Sequence, residues 1–269
     1  MYSESILFES LAKSVSESIE NNKETAISFS GGVDSFIVAA LAKEYSNPTL
    51  YTIGGKNSLD VLYSKIASET LGVPLKIIDL DEQNIIEGIN KTKEIIDPSN
   101  SFDVLIGVTF FLIAKKIHDD GFHICLSGQG ADELFYGYDK YRRALIEGKD
   151  PTVLRNKDVQ ELNEILENRE FKIFRHFNID FFSPFLDEKV KKIGMEININ
   201  ENLKGEEDIV RKHTLREIAL KLGAPKEIAN RRKKAMQYGS GILEEIRRIS
   251  KKKGFAPSLN AYLDSIKIN

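Results

Sequence analysis

The stretch AISFSGGVDSFIVAALAKEY, residues 26–45, decides the fold. A short apolar run at 26–30 stops at Gly31 and Gly32, and a segment with helical character resumes at 36–45. The order is strand, glycine turn, helix. Glycine lets backbone N–H groups come close to an anion, and the helix that follows directs its positive dipole end to the same place. The stretch predicts a phosphate-binding loop at the carboxyl end of a strand.

Strands and helices continue to alternate after this loop. An amphipathic helix is predicted before the loop, at 3–22. After it, strands are predicted at 49–54, 75–80 and 123–127, and helices at 58–72, 82–95 and 102–119. The helices at 82–95 and 102–119 are interrupted by Asp97-Pro98. This alternation predicts an α/β fold, a parallel sheet with helices on both faces. Open sheets of this kind bind ligands at the carboxyl ends of their strands.

The C-terminal part has a different pattern. After about Tyr141 no strand pattern is visible, and helices are predicted at 152–168, 187–196, 208–222 and 242–252. Neither an internal repeat nor a linker rich in Gly, Ser or Pro separates the two parts. We therefore expect one domain, 1–269, with an α/β nucleotide-binding half at 1–140 and a mainly helical half at 141–269.

Composition excludes several classes of protein. Of 269 residues, 41% are hydrophobic and 29% are charged, as in an ordinary globular protein. One cysteine excludes a disulfide scaffold and a Cys-cluster metal site, and the four histidines lack zinc-site spacing. Because there is neither an apolar run of 18 residues nor a basic leader, we expect a cytoplasmic protein without a membrane span.

The first loop, SGGVDS at 30–35, carries polar groups suited to a nucleotide. Ser30 and Ser35 add hydroxyl donors, whereas the lysine and spacing of a Walker A motif are absent, as is GxGxxG. An acid such as Asp34 makes sense in a phosphate site if Mg²⁺ lies between it and the phosphates. The alternative is a tight turn with a helix-capping Ser or Asp.

A second glycine loop follows the strand at 123–127, in LSGQGADELFYGY (126–138). Its small residues Gly128, Gly130 and Ala131 allow a close approach of the backbone to a ligand. Asp132 and Glu133 place carboxylates at the start of a helix. If they face Asp34 across one crevice, these carboxylates would suit a shared Mg²⁺. Alternatively, their negative charges only complement the positive dipole end at the N-terminus of the helix. The residues alone leave both possibilities open.

The motifs together resemble a known family. SGGVDS resembles the PP-loop of the ATP pyrophosphatase superfamily, whose fold is like that of the adenine nucleotide alpha hydrolases. SGQGADELFYGY is similar to SGQGADELFGGY of the asparagine synthetase family's synthetase domain, with Tyr136 in place of a glycine. Three further elements follow in family order, namely SPFLDEKV (183–190), KHTLREIA (212–219) and RRKKAMQYGSG (231–241). β-Lactam synthetases share this domain type, so the resemblance leaves the substrate open.

The resemblance implies a role for each matched residue. Gln129 would lie beside an acyl-adenylate, at a position where many asparagine synthetases have Glu and β-lactam synthetases have Tyr. The remaining roles are ATP phosphate binding by Ser30, Gly31, Gly32, Asp34 and Ser35, adenosine binding by Ile53, Ser127 and Gly128, and Mg²⁺ binding by Asp34 and Asp132.

Lys233 aligns with the lysine of the family's R-x-K element. A cation held near the α-phosphate would stabilise the negative charge that develops in the transition state. Alternatively, Lys233 is one more member of a solvated basic cluster, since residues 204–253 contain 15 Lys and Arg against 7 Asp and Glu. Polyphosphate binding would explain part of that excess, so a nucleic-acid partner is not expected.

Two departures from the family pattern bear on function. Full asparagine synthetases begin with a glutaminase domain whose nucleophile is a cysteine directly after the initiator Met, whereas residue 2 here is Tyr2 and the only cysteine, Cys125, is predicted to be buried in a strand. We expect nitrogen from free ammonia or from a separate glutaminase subunit, unless the nucleophile is a different amine. Asp180 and Phe182 replace a family Glu and Arg, which indicates either a changed acyl substrate or structural drift.

The resemblance implies a ligase that converts aspartate, ATP and ammonia into asparagine, AMP and pyrophosphate through an acyl-adenylate. Its partners would be a small carboxylate, with aspartate favoured, ATP and Mg²⁺, and a homodimer is compatible with it. The alternatives are the same chemistry on another carboxylate, an RNA-modifying PP-loop enzyme, and a nucleotide-binding protein without catalysis. A cysteine pair and a basic-aromatic strand platform, which would favour RNA, are absent from the sequence.

Overall fold

The computed structural model describes residues 2–20, 22–55, 58–96 and 101–266. Its centre is a five-stranded parallel sheet in the order β3-β2-β1-β4-β5, with β1 (Glu24–Ser28), β2 (Asn47–Ile53), β3 (Leu75–Ile78), β4 (Ile124–Ser127) and β5 (Asp180–Phe182). Ser28 at the end of β1 is in register with Ser127 at the end of β4. The loops after these two strands therefore leave the sheet side by side.

Helices cover both faces of this sheet, which confirms the predicted fold class. In chain order the described α-helices are α1 (Tyr2–Ile19), α2 (Val33–Ala42), α3 (Leu59–Leu71), α4 (Glu82–Ile96), α5 (Ser101–Asp119), α6 (Ala131–Leu134), α7 (Asp139–Ile146), α8 (Pro151–Leu166), α9 (Lys172–His176), α10 (Glu188–Glu196), α11 (His213–Lys221), α12 (Lys226–Ala229), α13 (Met236–Gly239), α14 (Ile242–Lys252) and α15 (Leu259–Ser265). A π-helical turn, Glu167–Phe171, joins α8 to α9.

Local sequence explains where several helices begin and end. Ser58 caps α3 by accepting a hydrogen bond from the Val61 N–H, and the helix ends at Gly72 in the left-handed conformation. At α8, the Asp150 carboxylate accepts from the Thr152 N–H, and Pro151 occupies the first turn. These signals are short-range, and the predicted ends of both helices agree with the structure within two residues.

The hydrophobic core forms two layers, one on each face of the sheet. One layer packs α1 and α2 against α10 and α11, and the other packs α4 and α5 against α9 and α14. Each layer thus joins helices from 1–140 with helices from 141–269. Because neither half buries its apolar faces without the other, we propose that the chain folds as one domain.

Two predictions for the second half are wrong in detail. A strand, β5, does occur after Tyr141; it has three residues, too few for an alternating pattern, and Phe182 is 37% exposed at the sheet edge. The helix predicted at 208–222 begins at His213, because Arg211 and Lys212 have left-handed backbone conformations that interrupt it. The predicted break at Asp97-Pro98 lies outside the described residues.

Within the described ranges, no helix combines the length and the apolar character needed to cross a membrane.

Candidate active site

The loop between β1 and α2 is held in the shape expected of an anion site. Gly31 has a φ of +69°, and a Cβ there would come within 2.7 Å of the Ser64 nitrogen in α3, so both the turn and the packing require glycine. The Ser35 hydroxyl donates to the Gly32 carbonyl at 3.1 Å. The N-terminus of α2 therefore opens at Gly32 toward the space above the sheet.

The loop after β4 lies directly against this first loop. A Cβ on Gly128 would meet the Asp34 Cβ at 2.9 Å and the Ser35 backbone nitrogen at 3.0 Å. Only glycine lets the two loops approach this closely. Gly130, with a φ of +87°, then turns the chain into α6, which carries Asp132 and Glu133.

One pocket opens between the two loops. Its polar side includes Ser30, Asp34 and Asp60, and Phe110, Ile113 and Met236 give it an apolar side suited to a flat base. The described lining is Ser28, Phe29, Ser30, Asp34, Ser35, Thr52, Ile53, Asp60, Phe110, Ile113, Ser127, Gly128, Gln129 and Met236. Seven residues that the resemblance assigns to ATP or to the adenylate thus line a single pocket.

Gly128→Ala tests this loop contact. The added methyl group would press on the backbone of the first loop, so we expect ATP affinity to fall at least tenfold, measured by calorimetry. Gly55→Ala is the matched control, because a Cβ on Gly55 meets nothing within 4 Å and its φ is outside the left-handed region. Equal ATP affinities in the two variants would contradict the close approach of the loops as a requirement for binding.

A cluster of four charged side chains lies beside the pocket. The Lys212 ammonium donates to Asp34 at 2.5 Å and to Asp132 at 2.8 Å, and Lys233 forms an ion pair with the other Asp132 oxygen. The two carboxylates predicted to share a metal are therefore brought together across the crevice. Lys233, predicted from the R-x-K element, joins them and is partly buried rather than part of a solvated face.

The electrostatics of the cluster favour the charged forms of Asp132 and Lys233. Burial raises the pKa of Asp132, but Lys212 and then Lys233 outweigh it and hold that pKa well below its usual range. Burial lowers the pKa of Lys233, and the charges of Asp132 and Asp34 more than offset this, so it is raised. Asp132 is thus a carboxylate and Lys233 an ammonium group near neutral pH.

The donor set is compatible with Mg²⁺ bound together with phosphates. The Asp34 Oδ1 atom is buried and has no hydrogen-bond partner among the described residues, which leaves one oxygen available as a ligand. Among the described residues, no group of three or more His, Cys, Asp or Glu side chains is placed to hold a metal ion. Mg²⁺ is commonly held by one or two carboxylates with substrate phosphates and water, so a magnesium site does not require a larger group of acids.

Lys212 was not predicted as a functional residue. It precedes α11 with a φ of +53°, directly after Arg211 with a φ of +56°. The Asp208 carboxylate stabilises this unusual turn by accepting from the N–H groups of Val210 and Arg211 at 3.0 and 2.9 Å. Arg216 adds bonds from its guanidinium to the Arg211 and Val210 carbonyls. These contacts direct Lys212 into the cluster.

Asp208→Asn is expected to loosen this turn and to do so in a pH-dependent way. Burial raises the pKa of Asp208, but hydrogen bonds from the N–H groups of Arg211 and Lys204 lower it to about 2. A lowered pKa contributes stability above the unfolded value near 3.8, and that contribution is lost as pH falls toward 2. Wild type should therefore melt a few degrees above the variant at pH 6, and this difference in melting temperature should shrink as pH falls from 3.8 toward 2. A difference of unchanged size at pH 2 would contradict the charge-based role.

Arg231 fastens the C-terminal basic segment to the first loop. Its guanidinium donates to the Ser30 carbonyl at 2.5 Å, pairs with the buried Asp60 and lies 4.5 Å from the Tyr63 ring centroid. The segment closes a second recess that continues from the pocket past Gly32. The lining of this recess is strongly basic, which suits a polyphosphate. It consists of Ser30, Gly32, Val33, Asp34, Asp60, Lys212, Arg216, Arg231, Arg232, Lys233 and Lys234.

Gln129 is oriented by a buried carboxylate. Its amide nitrogen donates to Glu170 at 3.3 Å, and Arg169 donates to both Glu170 oxygens and to Asp103. Burial raises the pKa of Glu170, and the Arg169 charge opposes that rise. With the side-chain nitrogen bound to Glu170, the side-chain amide oxygen of Gln129 could accept a hydrogen bond from a ligand in the pocket.

Tyr136, where the family has glycine, keeps the left-handed conformation with a φ of +56°. Its buried ring packs edge-on against Tyr141 and lies 5.2 Å from the Arg155 guanidinium. This packing stabilises a backbone geometry that costs a non-glycine residue about 1–2 kcal/mol. A tyrosine is therefore accommodated at this turn of the second loop.

Comparison with known proteins places these features in a family. The family model described as asparagine synthase matches residues 7–178 and 172–254. A Methanocaldococcus jannaschii protein named "Putative asparagine synthetase 1 (glutamine-hydrolyzing)" is 31% identical, over 96% of this chain and 53% of the relative. Asparagine synthetase B (glutamine-hydrolyzing) of Escherichia coli is 26% identical over 87% of this chain and 45% of the relative.

The chain spans about half the length of these two relatives. Among solved structures, an NH3-dependent NAD synthetase from Campylobacter jejuni aligns over 97% of this chain and 92% of that chain, with a TM-score of 0.45 and 16% identity. The family model, which covers most of the chain, and the M. jannaschii relative agree with the motifs and with the loops they form. The chain belongs to the asparagine synthase family.

Proposed function

We propose that this domain is a carbon–nitrogen ligase that activates a carboxylate with ATP. A carboxylate oxygen attacks the α-phosphorus, the bond to the β-phosphate oxygen breaks, and pyrophosphate leaves. Ammonia then attacks the acyl carbon of the adenylate, AMP leaves, and the nitrogen loses a proton. The observation that carries the proposal is the cluster of Asp34, Asp132, Lys212 and Lys233 between the nucleotide pocket and the basic recess.

Each group has a part in this scheme. The first loop and the basic recess would bind the β- and γ-phosphates as the leaving pyrophosphate, and Lys233 would stabilise charge at the α-phosphate. Mg²⁺, held by Asp34 and Asp132, would neutralise phosphate charge. Gln129 would lie beside the acyl group.

Aspartate, with asparagine as the product, is the first candidate for the substrate because the relatives are named asparagine synthetases. Ammonia is the nitrogen donor we propose for this chain. Its one cysteine, Cys125, is fully buried in β4 and burial raises the pKa of its thiol, which is the opposite of an activated nucleophile.

Product analysis tests the proposal. Purified protein is incubated with ATP, Mg²⁺, ammonium and candidate acceptors, namely aspartate, other carboxylates and RNA, and the nucleotides are separated. AMP and pyrophosphate are expected with a carboxylate and ammonium but not with glutamine. Formation of ADP and orthophosphate would contradict adenylation, and turnover that requires RNA would favour an RNA-modifying enzyme.

A further inference from the structure

Gln129 lies at the boundary of two cavities. It lines the nucleotide pocket, and it also lines a second cleft, of about 590 Å³, that shares Gln129 and Met236 with the pocket. In the proposed reaction the acyl carbon of the adenylate lies beside Gln129. An attacking nitrogen would approach that carbon close to this side chain. The direction in which the Gln129 amide points therefore bears on the second half of the reaction.

The backbone of Gln129 is held on both sides. Its N–H donates to the Ser127 hydroxyl at 3.3 Å, and its carbonyl oxygen accepts from the hydroxyl of Ser183, which directly follows β5. A residue fixed in this way to the ends of two strands has little freedom to move. What remains to be set is the orientation of the side-chain amide, whose nitrogen donates and whose oxygen accepts.

Glu170 determines that orientation. It is fully buried, and the neighbouring Arg169 donates to both of its oxygens, at 3.1 and 3.0 Å. Because both oxygens already accept from Arg169, Glu170 offers Gln129 only acceptors. The Gln129 side chain must then present its nitrogen to Glu170, as it does at 3.3 Å, and its amide oxygen points away from Glu170.

The Arg169–Glu170 pair is itself held in place. Both residues lie on the π-helical turn Glu167–Phe171, and Arg169 also donates to Asp103 of α5 at 2.8 Å. Turns of this kind are rare and frequently occur at functional sites. A buried ion pair contributes little net stability, so the pair is better explained by the orientation that it imposes on Gln129.

Resting on the proposed adenylation chemistry, we infer that Glu170 is a positioning residue for the nitrogen nucleophile. It holds the Gln129 amide so that the side-chain oxygen accepts a hydrogen bond from an N–H of ammonia, and the lone pair of the ammonia nitrogen is left to face the acyl carbon. The amide oxygen orients the ammonia and takes no proton from it. Glu170 therefore acts in the second half-reaction, and formation of the adenylate does not depend on it.

Glu170→Gln tests the inference, because an amide at position 170 can donate as well as accept and no longer fixes the orientation of Gln129. The full chain is assayed with Mg²⁺, ATP and aspartate, or the acid that gives AMP in the product analysis. The kcat/KM for ammonium should fall by at least about tenfold, because misplacing a reacting group by about 1 Å can cost about 10²-fold in rate. Exchange of labelled pyrophosphate into ATP, which needs only the adenylate, should stay close to the wild-type rate.

Glu167→Gln is the matched control. It makes the same substitution on the same π-helical turn, but Glu167 is exposed and pairs with Arg175. Both rates should equal those of wild type. Equal values of kcat/KM for ammonium in the two variants would overturn the inference. So would a pyrophosphate exchange rate that falls as much as kcat/KM in Glu170→Gln, because a merely structural loss slows both half-reactions together.

A double-mutant cycle shows whether Glu170 acts through Gln129. Gln129→Leu removes the amide and keeps about the same size, so kcat/KM for ammonium should fall by a similar factor. Adding Glu170→Gln to this variant should then cause no further loss, whereas losses that multiply would contradict a role through Gln129. If Glu170→Gln does not fold, Glu170→Asp replaces it in the cycle, because it keeps a charge for Arg169 and shortens the reach to Gln129.

The proposed function would fail in a different way. If wild type neither forms AMP nor exchanges pyrophosphate with any carboxylate, adenylation is wrong and the inference is overturned with it. If wild type does both, and Glu170→Gln uses ammonium as well as wild type does, the inference is wrong and adenylation stands.

Discussion

Replacing Lys233 by alanine is expected to lower kcat by about 10²–10³-fold and to change the KM for ATP far less. A cation near the α-phosphate gains most when negative charge grows there, so its effect is concentrated in the transition state. Lys212 also donates to Asp132, so we expect this carboxylate to keep a partner in the variant. The melting temperature should therefore change little. Steady-state kinetics and thermal melting together check both expectations.

Lys234→Ala is the matched control for that experiment. Lys234 is adjacent in sequence and lines the same basic recess, but its side chain is exposed and it has no ion pair with Asp34 or Asp132. The decrease in activity caused by Lys234→Ala should be small and should become smaller at higher salt. Equal and minor losses of kcat in the two variants would contradict the catalytic role expected of Lys233, and the ATP-binding role of the site would be unaffected.

The parts of this site that could be predicted from sequence are those with local causes. The loops after β1 and β4 are each a strand, a glycine turn and a helix start, and every residue of such a unit is close in sequence. A parallel sheet then brings the loops together, because neighbouring strands end at the same edge. Asp34 and Asp132 accordingly lie where the motifs indicated.

The parts that were missed depend on contacts distant in sequence. Lys212 reaches the cluster through a left-handed turn that Asp208 and Arg216 stabilise, and a continuous helical pattern concealed that turn. For the basic cluster at 231–234 the sequence left a solvated face open as the alternative, because whether Arg231 is exposed or bound to Asp60 depends on a residue 171 positions away. The lining of the cleft that borders Gln129 likewise combines residues of α5 and α8 with residues 235–237.

Asp34→Asn and Asp132→Asn should each reduce turnover by more than about 10²-fold, because each removes a charged group that we propose as a Mg²⁺ ligand while keeping the size of the side chain. Measured at fixed ATP, the Mg²⁺ concentration for half-maximal activity should rise in both variants. A lower kcat with an unchanged Mg²⁺ requirement would contradict the metal role, as would near-normal activity.

The two variants should differ in stability, and the difference separates the metal role from the structural one. Asp132 contacts both Lys212 and Lys233, so its neutralisation leaves two ammonium groups facing Asp34 alone, and breaking such a buried pair costs about 3–5 kcal/mol. Asp34 contacts Lys212 through one oxygen and leaves Oδ1 free, so its neutralisation should lower the free energy of unfolding less. Asp34→Asn is therefore the cleaner test of Mg²⁺ binding, because a folded protein that loses turnover and needs more Mg²⁺ has lost a ligand rather than its structure. If both variants melt like wild type, the ion pairs contribute little to stability and the carboxylates serve the ligand alone. If both variants unfold, the deciding measurement is whether Mg²⁺ protects the wild type against thermal unfolding. Absence of that protection would count against the metal site.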